Sequence, residues 1–241
     1  MNVSNVRILV AAGICLGAST LSAQNASGAG GSPAVASLAG PGLQIYGQVA
    51  GDYYVSPTGA FRINIPVLAE LGGTITDSTN VVTFDDDFST HCSVGAFPLS
   101  AEMQTELESR GTQGFLIYFF TNLVMPDFVA RYPGATMEDV GSFLPEFQGG
   151  AMLIFTRLPG GSLFGRPTEL WTPSEPVVAK RGNLCFLKNH HIFVVSIELA
   201  ERSLERLTYS LTVTQENDLL RRRLLAIVAR MEFAPAPEAG H

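Results

Sequence analysis

The sequence has little positive charge and few cysteines, and each shortage argues against a class of protein. Arginine and lysine together number 15 against 22 aspartates and glutamates, which gives a net charge of −7. A general nucleic-acid-binding protein needs basic patches that displace counterions, so nucleic acid is not the expected partner. The three cysteines include no Cys-x-x-Cys pair, the close spacing by which zinc sites usually show themselves.

Common catalytic signatures are also missing. The chain contains no Gly-x-Ser-x-Gly sequence, so a serine hydrolase of that type is not predicted. The glycines of "LPGGS" at 158–162 lack the lysine of a phosphate-binding loop. Because no spacing assembles a nucleophile, a base and an orienting group, we expect a non-catalytic protein without a cofactor.

A long apolar run occurs at the N-terminus. Arg7 precedes an apolar segment from Ile8 to about Ala18, and small residues follow up to Ala23. This order is typical of a secretory signal peptide, which predicts cleavage after residue 23. No other stretch is long and apolar enough to cross a bilayer. We therefore expect a mature protein without a transmembrane segment, located outside the cytoplasm in the periplasm or secreted.

Composition divides the remaining chain. Residues 24–43 are small, polar and rich in glycine, which predicts a flexible linker. The last residues, 234–241, read "APAPEAGH" and predict a disordered tail. A single folded domain is expected over residues 44–233.

Hydrophobic patterning predicts short strands in the first part of this domain and helices after them. Phe61, Ile63 and Ile65 alternate with polar residues, as in a half-buried strand. Further short strands are predicted around 74–76, 81–84 and 91–99. A helix capped by Ser100 and ending near Gly111 is expected next, followed by an apolar helix that Pro126 should kink.

The second part predicts a strand within "GGAMLIFTRLPGG" at 149–161, a hairpin and a final helix. With Asn189 and His190 at the turn, the hairpin should pair Leu187 with Ile192 and Cys185 with Val194. From about Gln215, with Thr214 as its N-cap, the final helix carries a stripe facing a core. That stripe consists of Leu220, Leu224, Ile227, Val228 and Met231. The order of elements predicts an α+β fold, with helices packed on an antiparallel sheet and a C-terminal amphipathic helix.

This layout resembles the PsbP-like superfamily, the extrinsic photosystem subunit and its DcrB-like bacterial periplasmic relatives. The resemblance is carried by "YYVSPTGAFRINIP", "FLIYFFTNLVMPDF", "RGNLCFLKNHHIFVVSI" and "ENDLLRRRLLAIVARMEF", which together span most of residues 53–233. It implies the fold, an extracytoplasmic location and a non-catalytic binding or accessory role. The chain departs from the pattern after Pro66, where no tryptophan follows.

Two histidine- and cysteine-containing stretches are candidate sites. "DDDFSTHC" places Asp85, Asp86 and Asp87 before His91 and Cys92, and "CFLKNHH" joins Cys185 to His190 and His191. The three histidines with Asp85–Asp87 are weak candidates for a metal site, which would make the protein a metal-assisted hydrolase. The other interpretation is a solvated aspartate turn beside histidines at an exposed hairpin tip.

The two cysteines predict a disulfide. After signal removal Cys92 and Cys185 are an even pair in an oxidising compartment, so we expect them to be bridged. Buried free thiols at both positions are the alternative.

Three functional hypotheses remain open. The leading one is an exported, non-catalytic accessory or binding protein of the cell envelope, whose partner is an envelope protein or a small ligand. The others are the hydrolase and an envelope protein that docks on a membrane or a larger complex through its C-terminal helix. Trp171, in the proline-bounded loop "ELWTPSEP", is a candidate partner contact.

Overall fold

The computed structural model describes residues 45–164, 177–205 and 208–235. The predicted signal peptide, the linker and Trp171 lie outside these ranges, as does most of the predicted tail. The described residues form antiparallel sheets and helices in the α+β arrangement that the sequence predicts.

The strands follow the chain in the order β1 (Gln48–Ala50), β2 (Tyr53–Val55), β3 (Phe61–Asn64), β4 (Thr74–Asp77), β5 (Val81–Asp85), β6 (His91–Pro98), β7 (Thr136–Leu144), β8 (Ala151–Pro159), β9 (Val178–Lys188), β10 (His191–Glu198) and β11 (Met231–Phe233). The helices are α1 (Ala101–Phe119), a π-helix (Phe120–Val124), α2 (Met125–Arg131), α3 (Glu201–Leu204) and α4 (Val213–Val228), with a 3₁₀ turn at Ala69–Leu71. We refer to α1, the π-helix and α2 together as the long helix.

Within the described residues the strands form two sheets. The large sheet has the order β4-β5-β6-β10-β9-β8-β7, and the small sheet has the order β1-β2-β3-β11. In the large sheet the β9–β10 hairpin pairs Leu187 with Ile192 and Cys185 with Val194, as predicted. Asn189 and His190 take positive φ angles of 47° and 59° at its tip, the geometry of a tight hairpin turn.

The large sheet is covered on both faces. On one face, which we call the α4 face, Leu184 and Phe186 of β9 pack with Leu220 and Leu224 of α4 and with the small sheet. A Cβ atom on Gly182 would lie 2.9 Å from a Leu224 methyl group and 3.0 Å from Leu220 Cβ. The absence of a side chain therefore lets α4 approach β9 closely.

The opposite face packs against the long helix, and we call it the long-helix face. Phe115, Phe119 and Phe120 form one apolar cluster with Ile192 of β10 and Cys185 of β9. Since successive side chains of a strand point to opposite faces, each strand supplies both clusters. The β9–β10 hairpin is therefore covered on both sides.

The start of α4 departs from the sequence prediction. The N-cap of α4 is Thr212, not Thr214, and Thr212 forms a capping box with Gln215. Gly111 interrupts α1 with a non-helical φ of 67°, so the first helical segment ends there as predicted and a second begins directly after it. Ser100 caps α1 as expected and accepts a hydrogen bond from the Met103 N–H. Among the described residues, we find no helix with the length and apolar character to cross a membrane.

Candidate functional site

The long-helix face of the large sheet changes character along its strands. Because β5, β6, β10, β9 and β8 are in register, their side chains form rows that run across the sheet. The apolar row is Val81, Gly95, Val194, Cys185 and Met152, and the polar row is Thr83, Ser93, Ser196, Asn183 and Ile154. The next positions form the charged row, which has Asp85 paired with His91 on β5 and β6 and Glu198, Arg181 and Thr156 on β10, β9 and β8. The first row belongs to the core, and the other two require polar partners.

The polar row is partly satisfied within the sheet. Ser196 Oγ donates to Asn183 Oδ1 at 2.7 Å. Asn183 Nδ2 in turn donates to the Ile154 carbonyl at 3.2 Å and to Thr156 Oγ1 at 3.3 Å. These bonds fix the side chains on β9 and β10. Thr83 and Ser93 belong to the same row but make no side-chain hydrogen bond within the described part of the chain.

Arg181 and Glu198 form a buried ion pair in the charged row. Arg181 is 4% exposed, Glu198 is fully buried, and Arg181 Nη2 lies 3.6 Å from Glu198 Oε2. Arg181 Nη2 also donates to the Gly161 carbonyl at 3.3 Å, and Glu198 Oε1 accepts from Ser162 Oγ at 2.7 Å. The Nε–H of Arg181, by contrast, is buried with no hydrogen-bond partner among the described residues. A buried, unpaired guanidinium N–H costs free energy and needs an explanation.

His91 and Asp85 form a second pair at the other side of the charged row. His91 is 3% exposed, and its Nδ1 contacts Asp85 Oδ1 across the β5–β6 ladder. The bond to Asp85 fixes the orientation of the imidazole ring. Among the described residues, no hydroxyl group is hydrogen-bonded to the other ring nitrogen, Nε2. The pair is therefore not joined to a nucleophile.

The C-terminal part of the long helix covers these rows. Pro126 has no backbone N–H, and the helix widens before it into the π-helix, in which the Met125 N–H donates to the Phe120 carbonyl. This change of pitch precedes Phe128 and Tyr132, which lie over the polar part of the sheet. π-Helical segments are frequent at functional sites.

A cleft remains between the helix and the sheet, and we call it the Arg181 cleft. Its sheet side includes Thr83, His91, Ser93, Arg181 and Ser196, and its helix side is formed by Val124, Phe128, Arg131 and Tyr132. The cavity has a volume of about 20 Å³, which accommodates a group about as large as a water molecule. Arg181, whose Nε–H has no partner among the described residues, lines it together with the hydroxyl-bearing Thr83 and Ser93, so the cleft suits a hydrogen-bond acceptor.

The histidines do not meet in one site. Asp85 pairs with His91 at one end of β6, whereas His191 pairs with Pro98 at the other end. At about 3.3 Å per residue, the two histidines are roughly 23 Å apart along the strand. His190 occupies the exposed hairpin tip. The described residues contain no group of three metal-binding side chains, and the predicted metal-site residues are thus separated.

The predicted disulfide between Cys92 and Cys185 is not formed. Both residues are free, fully buried cysteines. Cys92 belongs to the α4 face and Cys185 to the long-helix face, and β10 lies between their strands. A disulfide needs Cα atoms within about 7 Å and Cβ atoms that point toward each other. Burial raises the pKa of both thiols, so they behave as core side chains.

Asp85 and Asp86, which are adjacent in the aspartate run, have different hydrogen-bond partners. Asp86 closes the β5–β6 turn by accepting from the backbone N–H groups of Phe88, Ser89 and Thr90, at 2.9, 2.7 and 2.8 Å. This is the self-bonded turn expected from the sequence. Asp85, however, pairs with His91 instead of remaining in the solvated turn.

Sequence reasoning did not identify Arg181 and Glu198. The signal was the pair Lys180-Arg181 inside an otherwise apolar strand, since lysine and arginine are almost never fully buried unless they are paired. The position of Arg181 opposite Glu198 and beneath the long helix depends on the strand register and on the course of the helix. Trp171, the predicted partner contact, lies outside the described residues.

Comparison with known proteins finds similar solved structures but no sequence family. No protein-family model matches the chain, and no curated protein matches it significantly. The solution structure of cyanobacterial PsbP from Synechocystis sp. PCC 6803 is similar at 13% identity and a TM-score of 0.46, over 78% of this chain and 98% of that one. The crystal structure of the Saccharomyces cerevisiae Ran-binding protein Mog1p is similar at 9% identity and a TM-score of 0.42, over 79% and 96% of the two chains.

A Bacteroides thetaiotaomicron crystal structure is also similar, with 9% identity and a TM-score of 0.35. The alignment spans 78% of this chain and half of that larger protein. The chain is thus similar in structure to cyanobacterial PsbP, the resemblance that the sequence predicted.

Proposed function

We propose that this protein is an exported, non-catalytic binding protein of the cell envelope, whose ligand places a hydrogen-bond-accepting group in the Arg181 cleft. The unpaired, buried Nε–H of Arg181 beside this cavity is the observation that carries the proposal. Leaving such a donor buried without a partner costs about 1–3 kcal/mol, which a bound acceptor or an ordered water would recover.

The charges around the cleft favour a carbonyl group over a multiply charged anion. Glu198 neutralises Arg181 from one side, and Asp85 lies beside His91 at the other. The acceptor therefore meets N–H and O–H donors in surroundings with little net positive charge. An amide, ester or carboxylate oxygen suits these donors, whereas Glu198 and Asp85 disfavour a second negative charge inside the cleft and Arg131 lies at its exposed side.

The dimensions of the cavity limit what can enter. A volume of about 20 Å³ is far below the 300–1,000 Å³ that is typical of a site enclosing a whole drug-sized molecule. Only the end of a ligand therefore enters, and the remainder lies outside, near Arg131 and Tyr132 at the C-terminal end of α2.

Export of the protein from the cytoplasm is part of the same proposal. The N-terminal order of Arg7, an apolar segment and small residues supports export with removal of residues up to about Ala23. Intact-mass analysis of the protein from its native host tests this, and retention of Met1 would contradict it.

Thermal unfolding with small probes tests the binding site. Acetamide and acetate, which carry the proposed acceptor, should raise the melting temperature of the wild-type protein, because a ligand that binds the folded state stabilises it. The same probes should have a smaller effect on the double variant Thr83→Val/Ser93→Ala, which removes two hydroxyl groups from the cleft.

Ser109→Ala is the control, since it removes an exposed hydroxyl on α1. It should respond to the probes as the wild type does. No stabilisation of the wild type, or equal stabilisation of wild type and double variant, would contradict the proposal.

A further inference from the structure

A second surface lies outside the Arg181 cleft, on two turns at one end of the large sheet. The exposed side chains of Leu68, Leu71 and Phe88 make up what we call the tip patch. Their exposed fractions are 60%, 39% and 57%. Phe88 lies in the β5–β6 turn, and the two leucines flank the 3₁₀ turn.

Backbone hydrogen bonds join the two turns. The Leu71 and Gly73 N–H groups both donate to the Leu68 carbonyl, at 3.0 and 2.9 Å. The Asp87 N–H donates to the Leu71 carbonyl at 3.2 Å. Leu68 precedes the 3₁₀ turn and Leu71 is its last residue, so the hydrogen bond between them closes the turn and holds the two residues close together. The patch is therefore preorganised, and binding to it costs little ordering entropy.

Acidic side chains surround these apolar groups. Glu70 and Asp87 are exposed, and Asp86 is half-buried within the β5–β6 turn. The bonds from three backbone N–H groups keep Asp86 ionised at neutral pH.

We infer that the tip patch docks an apolar, basic segment of a partner protein. Burying Leu68, Leu71 and Phe88 supplies the hydrophobic contribution, and the acidic rim selects lysine or arginine beside it. An anionic bilayer would meet the same carboxylates and be repelled. A second copy placed patch to patch would bring acid against acid in a chain of net charge −7.

A pair of synthetic helical peptides of opposite charge tests this inference on the full chain. One contains leucine and lysine, and the other contains leucine and glutamate at the same positions. The lysine peptide should bind and shift the backbone amide NMR signals of Leu71 and Phe88, whereas the glutamate peptide should not. Phe88→Ser and Glu70→Lys should each raise the dissociation constant of the lysine peptide roughly tenfold, as for the loss of one good contact.

Matched controls separate this docking from general attraction to an acidic protein. Val213→Ser removes an exposed apolar side chain elsewhere, and Glu108→Lys makes the same charge change on α1. Neither should weaken binding. Amide shifts at another surface, or equal weakening by these controls, would overturn the inference. It would also be overturned by flotation with phosphatidylglycerol vesicles, or self-association in sedimentation, that Phe88→Ser abolishes.

Discussion

Buried polar side chains give the long-helix face its specific character. Arg181, Glu198 and His91 are each at most 4% exposed, and each has at least one partner within the fold. Residue types in the sequence identified the histidines, cysteines and aspartates as candidates. They did not predict which would meet, because Asp85 and His91 become neighbours only when β5 and β6 pair.

The two cysteines also show that residue types alone do not predict which side chains meet. Both lie in predicted strands, and both are buried and free, which the sequence analysis gave as the alternative to a bridge. The bridge was wrong because Cys92 faces α4 while Cys185 faces the long helix. The register between strands decides whether two residues on different strands lie on the same face of a sheet. The sequence predicted the register correctly only for the β9–β10 hairpin.

Thiol titration tests the state of these cysteines. A chain that begins after residue 23 carries only Cys92 and Cys185. Because burial raises both pKa values, neither thiol should react with a thiol reagent in the folded protein near neutral pH. Unfolding in denaturant without a reductant should then expose both. A chain that shows no free thiol after unfolding would mean that the disulfide forms.

Asp86 provides a pH-dependent prediction at the β5–β6 turn. Partial burial opposes ionisation of its carboxyl group, but the N–H groups of the turn outweigh burial and hold its pKa below the usual value. The stabilisation is therefore complete above the unfolded-state pKa, near 4, and is lost as pH falls through the lower folded-state value. Asp86→Ala should lower the free energy of unfolding at neutral pH by roughly 1–2 kcal/mol.

Urea unfolding at neutral and acid pH measures this difference. The gap between wild type and Asp86→Ala should shrink below about pH 4. Asp87→Ala in the same turn is the control and should stay within about 0.5 kcal/mol of the wild type. A gap that is equal at every pH would show that the carboxylate bonds are not its source.

Whole elements were easier to predict than individual contacts. Helix α4 was recognisable from its apolar stripe. The capping box that the structure shows corresponds to the sequence pattern Thr212-x-x-Gln215. Choosing Thr214 overlooked the glutamine at the third position after Thr212. The buried Lys180–Glu216 pair, at 2.9 Å, adds a polar attachment of α4 to β9 that the stripe alone could not indicate.

Replacement of a stripe residue tests the docking of α4. Leu224 is fully buried between α4 and β9. Leu224→Ala should lower the free energy of unfolding by about 2–5 kcal/mol, since it removes buried methyl groups and leaves a cavity. Arg221→Ala, on the exposed side of the same helix, should change it by less than about 0.5 kcal/mol. Equal effects of the two changes would mean that α4 does not pack as described.

The arrangement of the whole molecule depends on contacts between distant parts of the chain. Strand β11 joins the small sheet beside β3, pairing Met231 with Ile63, and the exposed Arg62–Glu232 pair lies across this ladder. Local patterns predicted an antiparallel sheet, but they could not predict that strands from both ends form a second one. The position of the long helix over the polar rows is likewise a consequence of tertiary packing, and it creates the Arg181 cleft.

The central claim is that Arg181 donates its free Nε–H to an acceptor in this cleft. Arginine side-chain NMR measures it directly, with the Arg181 Nε–H signal assigned by its absence in Arg181→Lys. Titration with acetamide should shift this signal in the wild type, and the shift should be weaker in Thr83→Val/Ser93→Ala. An Arg181 signal that does not respond to acetamide or to acetate would contradict the account.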